Sequence, residues 1–284
     1  MIQWFPGHMQ KTLKELEQQV KIVDVVLYIL DSRAPFSCSN PSFEKIIQNK
    51  PILYIFNKYD LADEAKTKQW VTYFTRSNSM VLKTNATNGA TRSLVQNALY
   101  KLAETKLEKY KQKGVQPVIR AMVIGVPNSG KSTLINTLVG AGKTKTGNIA
   151  GVTRTTQWVK VSEHIEVLDT PGTLWPSFEN QQVAQNLAYI GSIKDNVVDV
   201  QELGYALFCK LCEMYPAYMQ QRYNINLQQE RIEAYEAVCV MRGCLRKGKE
   251  YDYERCGQMI LDDFRKTRIG KITLESVEEV YEAK

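Results

Sequence analysis

Five short stretches of this 284-residue chain hold residues whose types and spacing suit the chemistry of a nucleotide's phosphates and base. Gly125-Val126-Pro127-Asn128-Ser129-Gly130-Lys131-Ser132 fits G-x-x-x-x-G-K-[S/T]. In that pattern the glycines let backbone N–H groups curl around phosphate oxygens, Lys131 reaches the β- and γ-phosphates, and the Ser132 hydroxyl takes Mg²⁺. Asn128, Ser129, Gly130, Lys131, Ser132 and Thr133 are therefore the expected phosphate contacts. Asp169-Thr170-Pro171-Gly172 offers a carboxylate to the Mg²⁺ shell and a Gly172 N–H to the γ-phosphate. Between them, Thr153 in Gly151-Val152-Thr153-Arg154 offers a hydroxyl that could complete the Mg²⁺ coordination. Asn57-Lys58-Tyr59-Asp60 is an N-K-x-D, in which Asp60 accepts from the N1–H and N2–H₂ of guanine. Adenine has neither donor, so the wrong base leaves buried polar groups unpaired. Asn85-Ala86-Thr87-Asn88-Gly89 stands where the Ala86 N–H could meet the guanine O6.

Such motifs work only at the ends of rigid elements. The apolar, β-branched run from Val23 to Leu30 suits a strand buried on both faces of a parallel sheet. The pattern recurs at 52–56, 80–82 and 118–124, with helical stretches expected near 41–49, 64–76 and 91–112. A short polar helix is expected over 11–21, an antiparallel pair over Trp158–Val161 and Ile165–Leu168, and helix from about Asn180 onward. The rhythm predicts an α/β domain over 1–178 followed by a smaller all-α domain over 179–284. The motifs at 57, 85, 125 and 169 then each follow a strand. The base-reading motifs at 57 and 85 precede the phosphate-reading ones at 125, 153 and 169, the reverse of the order in ordinary GTPases. This is a circularly permuted P-loop GTPase domain, with residues 90–120 joining the old termini and the D-x-x-G switch leading directly into the helical domain.

Composition sets the wider bounds. Apolar residues make up 44% and charged residues 24%, as in an ordinary globular protein. No apolar run approaches the ~18 residues that a membrane helix needs, and Met1 to His8 lacks the pattern of a signal peptide, so a cytoplasmic protein without a membrane partner is expected. The six cysteines are then expected as free thiols. Cys209 and Cys212 form a C-x-x-C, but the apolar residues around them and the lack of a second such pair make them core cysteines rather than zinc ligands. The net charge of +7 is N-terminal in origin, with 18 basic against 10 acidic residues over 1–120. A second basic window, from Arg242 to Lys271, holds nine basic residues against five acidic ones. It is either a face for a polyanion such as RNA or a solvated helix surface.

The motif order is joined by Gln3-Trp4-Phe5-Pro6-Gly7-His8-Met9, by Asp31-Ser32-Arg33-Ala34-Pro35, by Asp169 to Pro176, and by the tail segments Ile260–Lys266 and Gly270–Glu275. Together these resemble the ribosome-biogenesis GTPase A family (RbgA/YlqF type) over nearly the whole chain. The resemblance implies a monomeric GTPase that binds GTP and GDP with Mg²⁺ in late assembly of the large ribosomal subunit. Its helical domain would contact ribosomal RNA, docking in the GTP state and leaving on hydrolysis. The position after Gly172, where many GTPases carry a water-positioning Gln, is Thr173, followed by Leu174. The family is thought to use instead the histidine matching His8, so that His8, Lys131 and Thr153 form the implied catalytic set. A capping or packing role beside Pro6-Gly7 is the other reading of His8. Asn128 matches an asparagine that helps hold K⁺ in related GTPases, or else ties the loop by a hydrogen bond. Arg33 could serve RNA, a switch, or an ion pair. A nucleotide-switched adaptor for a protein partner is the rival reading. A P-loop kinase or ATPase is disfavoured by the N-K-x-D.

Overall fold

The computed structural model describes residues 8–47, 49–140, 156–174 and 180–278. In chain order the elements are α1 (His8–Gln19), β1 (Val25–Asp31), α2 (Pro35–Cys38), α3 (Pro41–Ile47), β2 (Ile52–Asn57), α4 (Glu64–Phe74), β3 (Ser79–Thr84), α5 (Ala90–Leu102), α6 (Glu104–Lys111), β4 (Ile119–Ile124), α7 (Lys131–Val139), β5 (Gln157–Ser162) and β6 (Ile165–Asp169). A helical half follows: α8 (Gln181–Tyr189), α9 (Val200–Met214), α10 (Pro216–Tyr223), α11 (Arg231–Met241) and α12 (Tyr253–Arg265). The expected boundary at 178/179 falls outside the described residues.

The strands form one sheet in the order β3-β2-β1-β4-β6-β5, parallel except for the β5–β6 pair. Strand β1 lies between β2 and β4, and all seven of its residues are buried, which is why its sequence is an unbroken apolar run rather than an alternating one. One face packs against α5 and α7 through Val95, Leu99, Leu134 and Leu138. The other face packs Tyr28, Tyr54 and Phe56 against Trp70 and Phe74 of α4, and this core runs without a break into the helical half at Leu187, Leu207, Phe208 and Leu261. Side-chain caps start the later helices, with Asn180, Asp199 and Asp252 accepting from backbone N–H groups two or three residues on.

Two expectations need correction. The helical stretch 91–112 is broken at Ala103 into α5 and α6. The helical tail is interrupted after Arg265, where residues 269–275 return as a non-helical strap across the sheet's functional edge before helix resumes at Val277. No helix among the described residues is long and apolar enough to cross a membrane. The six cysteines are free, Cys212 is buried and Cys209 half-buried on α9, and no cluster of three metal-ligating side chains occurs among the described residues.

Candidate functional site

A doubly wound sheet gathers its loops at the strands' carboxyl ends. Here strand register does so residue by residue: Asp31 of β1 lies opposite Asn57 of β2, Asn57 opposite Thr84 of β3, and Val123 of β4 opposite Asp169 of β6. The sequence-separated motifs are thus neighbours on one edge.

Asn57 joins the two kinds of reader. Its buried amide donates from Nδ2 to the Ser129 carbonyl at 2.8 Å, and its Oδ1 accepts from the Ala86 N–H at 2.9 Å. This corrects one expectation: the Ala86 N–H is committed to Asn57, so Ala86 here ties the base loop to the phosphate loop rather than presenting a donor to O6. Asn85 is likewise occupied, its Oδ1 accepting from the Thr87 N–H and hydroxyl. Lys58, in the left-handed region at φ 56°, sends its ammonium to Asp31 Oδ2 at 2.8 Å and to the Asn128 carbonyl at 2.9 Å. Asp60 sits in the 3₁₀ turn Tyr59–Leu61, and its Oδ1 is buried without a hydrogen-bond partner among the described residues. An acceptor so placed fits the paired donors of a guanine edge.

The phosphate loop follows β4 and opens α7, whose first residue is Lys131. Gly130 has φ +102°, and a Cβ there would lie 2.1 Å from Asn57 Nδ2, so only glycine allows the bridge just described. Ser129 is buried, Ser132 half-buried and Thr133 exposed in the first turn of α7, where the free N–H groups and helix dipole favour phosphate. The Lys131 ammonium donates to the carbonyls of Gly125 and Val126 at 3.1 and 2.8 Å. Burial lowers its pKa to about 8, against the opposing pull of the Asp169 charge. A Cβ on Gly172 would lie 2.8 Å from Lys131 Nζ, which places the D-x-x-G glycine against the phosphate lysine. The Ser132 hydroxyl and the buried Asp169 carboxylate are hard oxygen donors, which suit Mg²⁺.

His8 begins α1, and its side chain lies outside the described residues, as does the whole of Thr153. Thr173 is 1% exposed, and its hydroxyl has no partner among the described residues. Leu174 is fully buried, with its carbonyl accepting from Asn40 Nδ2 at 3.0 Å. Asn128 donates from Nδ2 to the Gly191 carbonyl at 2.6 Å, a direct tie from phosphate loop to helical half.

The sequence left Arg33 undecided and gave Asp31 no role of its own. Buried Asp31 receives Arg33 Nε at 2.9 Å, Arg33 Nη2 at 2.8 Å and Lys58, and these two cations hold its carboxyl far below the usual carboxylate range despite burial. Arg33 also reaches the Arg265 carbonyl at 3.4 Å and lies over the Phe264 ring. The D-x-R spacing was the available signal.

The basic window is not uniform. Arg265 caps the end of α8 through the Ala188 and Tyr189 carbonyls at 2.8 and 2.9 Å and pairs with Asp195 at 2.7 Å. Arg268 pairs with Asp263, Lys266 with Asp262 and Arg246 with Asp252. Lys247, Lys249 and Lys271 are exposed. An open groove of about 510 Å³ between these elements is lined by Arg246, Asp252, Arg255, Gln258, Asp262 and Arg268.

Comparison with known proteins agrees with this geometry. Residues 120–236 match the family described as 50S ribosome-binding GTPase. The ribosome biogenesis GTPase A of Bacillus cereus is 40% identical over 281 residues, 98% of this chain and 95% of that protein. The protein of the same name from Thermotoga maritima is 28% identical, again over 98% of this chain and 95% of that one. Among solved structures, the GDP-bound structure of TM YlqF superposes with a TM-score of 0.68 at 25% identity, covering 93% of this chain and 99% of that one. The GNP-bound YlqF from T. maritima gives 0.64 at the same identity, over 94% and 98%.

Proposed function

This chain belongs to the ribosome biogenesis GTPase A family, a circularly permuted GTPase that acts in ribosome assembly, and from that premise we propose that it matures the large subunit, binding precursor ribosomal RNA in its GTP state and leaving on hydrolysis. The observation that carries the nucleotide-binding part of this reading is the Asn57 bridge, which makes one unit of the base-reading and phosphate-reading loops. A ligand spanning both must carry a guanine at one end and phosphates at the other.

In this reading Asp60 accepts from guanine, with Asn57, Lys58, Asn85 and Ala86 shaping its seat. Residues 128–133 and Gly172 hold the phosphates, and Lys131 neutralises their charge. Ser132, Asp169 and Thr153 would hold Mg²⁺, whose chemistry there is charge stabilisation on the β- and γ-phosphates. Donation by Asn128 Nδ2 to Gly191 leaves its Oδ1 as the group that a K⁺ ion would take. His8 orients the attacking water once the particle is bound. Residues 1–178 form the GTPase domain and 179–284 the RNA-binding domain of a monomer working in the cytoplasm. The exposed Lys247, Lys249 and Lys271 supply the cationic charge for RNA, beside a groove whose Arg246, Arg255 and Arg268 are balanced by Asp252, Glu254 and Asp262.

The test is GTP turnover by purified protein with and without large-subunit precursor particles. Stimulation by the particles, lowered ~10²- to 10⁴-fold by His8→Ala with GTP affinity retained, is the expected result. Turnover indifferent to the particles would favour the adaptor reading instead.

A further inference from the structure

The strap after α12 has no role in the chemistry described so far, yet it runs along the guanine-reading segment. Residues 57–63 begin at the end of β2, carry Asp60 at their middle and end at Asp63, the N-cap of α4. The Ile272 N–H donates to the carbonyl of Leu61, the residue after Asp60, at 3.2 Å. The Thr273 hydroxyl, fully buried, uses both of its capacities here: it donates to the Ser32 carbonyl at 3.1 Å and accepts from the Asp63 N–H at 3.2 Å. Ser32 in turn donates from its N–H at 3.0 Å and its hydroxyl at 2.8 Å to the Asn57 carbonyl. One hydroxyl group from the far end of the chain therefore spans the two ends of the guanine reader.

The strap is itself held on both sides. The Leu274 N–H donates to the Arg33 carbonyl at 2.8 Å, and the Tyr215 hydroxyl of the helical half accepts from the Thr273 N–H at 3.1 Å and lies 3.0 Å from its carbonyl. Glu275 anchors the end: its buried carboxylate accepts from the Phe36 N–H at 2.8 Å, from the Ser37 N–H and hydroxyl, and from Asn186 Nδ2 at 3.0 Å. A backbone tied at several fixed points is stiff, and a turn bonded to it inherits that stiffness.

We infer that Thr273 is a positioning residue for guanine recognition, holding the Asp60 turn in register so that docking of the helical half sets the enzyme's selectivity for the guanine base. The inference rests on Asp60 being the base reader. No hydrogen bond among the described residues joins the strap to the phosphate loop, so its effect falls on the base end of the nucleotide. Positioning costs are felt where a buried acceptor must meet two donors at once.

The experiment measures GDP and IDP affinities for the full chain as Thr273→Val, Thr273→Ser and Asp60→Asn, together with thermal stability. IDP lacks the 2-amino group, so it reports one donor fewer at Asp60. The expected result is that Thr273→Val weakens GDP by about tenfold and IDP by clearly less, narrowing the GDP/IDP ratio. Thr273→Ser, which keeps the hydroxyl, restores that ratio. Equal losses for both nucleotides, or an unchanged ratio in a folded Thr273→Val, would overturn the inference while leaving Asp60 as reader if Asp60→Asn still loses GDP. An Asp60→Asn that binds GDP as the parent does would overturn both. Should Thr273→Val not fold, hydrogen exchange on the parent decides. Slower exchange at the Ile272 and Leu274 amides on adding GDP supports the coupling, and unchanged exchange refutes it.

Discussion

At the scale of single residues, Asp60 and Lys131 are the proposed contacts to the nucleotide's two ends. An Asp60→Asn amide can donate to the xanthine O2, so the substitution should weaken GTP by ~10- to 100-fold and admit XTP; competition binding with the two nucleotides checks it, and equal GTP binding by both proteins would remove Asp60 from the site. Lys131 gives a proton linkage. Its pKa falls from the ordinary 10.5 to about 8 in the folded protein, so between those values the unfolded chain binds more protons. Its contribution to stability therefore rises with pH through that window. Phosphates reaching the ammonium restore the charged form, so GDP binding at about pH 8.5 should take up most of one proton. Calorimetry in buffers of different ionisation heat would show it, and a binding heat independent of buffer would contradict it. Both residues were legible because their motifs are contiguous in sequence. The Ala86 N–H was misread for a physical reason: a motif gives a donor's position but not its competitors, and the Asn57 acceptor lies on another strand.

At the scale of elements, the α9–α12 crossing sets the shape of the helical half. A Cβ on Gly204 would lie 2.2 Å from Gly257 Cα, and one on Gly257 would lie 2.6 Å from the Val200 carbonyl. The helices meet backbone to backbone. Gly257→Ala should destabilise the protein by about 1–3 kcal/mol, seen as a lower melting temperature, and a parent-like melt would show that the helices can part without cost. Periodicity identified every strand of the sheet, most plainly β1 and β2, whose apolar runs are buried almost throughout, whereas the edge strands β3 and β5 are only partly buried. It missed the break at Ala103 and the strap. The strap's contacts to Leu61, Ser32 and Asp63 bridge more than 200 positions in the chain, and no local pattern encodes them.

At the scale of the whole molecule, the nucleotide edge and the helical half are one mechanical piece. Asn128 holds Gly191, Arg33 touches Arg265 and Phe264, and the apolar core continues from the sheet into α9 and α12. The window from Arg242 to Lys271 read as either a face for a polyanion or a solvated helix surface, and the fold divides it. Arg265 is spent on the end of α8, whereas Lys247, Lys249 and Lys271 remain in solvent. Arg265→Gln should therefore lower stability. Neutralising the three lysines should leave the melt unchanged and reduce the salt slope of RNA binding by about one unit per charge that contacts phosphate. An unaltered slope would make those lysines plain surface.

The nucleotide-controlled association itself is open to one measurement: sedimentation of the tagged protein with large-subunit precursors in GDP, in GTP and in a non-hydrolysable GTP analogue. Co-migration with the precursor in the analogue, release in GDP, and release in GTP at the rate of hydrolysis are expected. Co-migration that is the same in all three, or absent from all three, would contradict a factor whose docking is switched by the nucleotide held between Asp60 and Lys131.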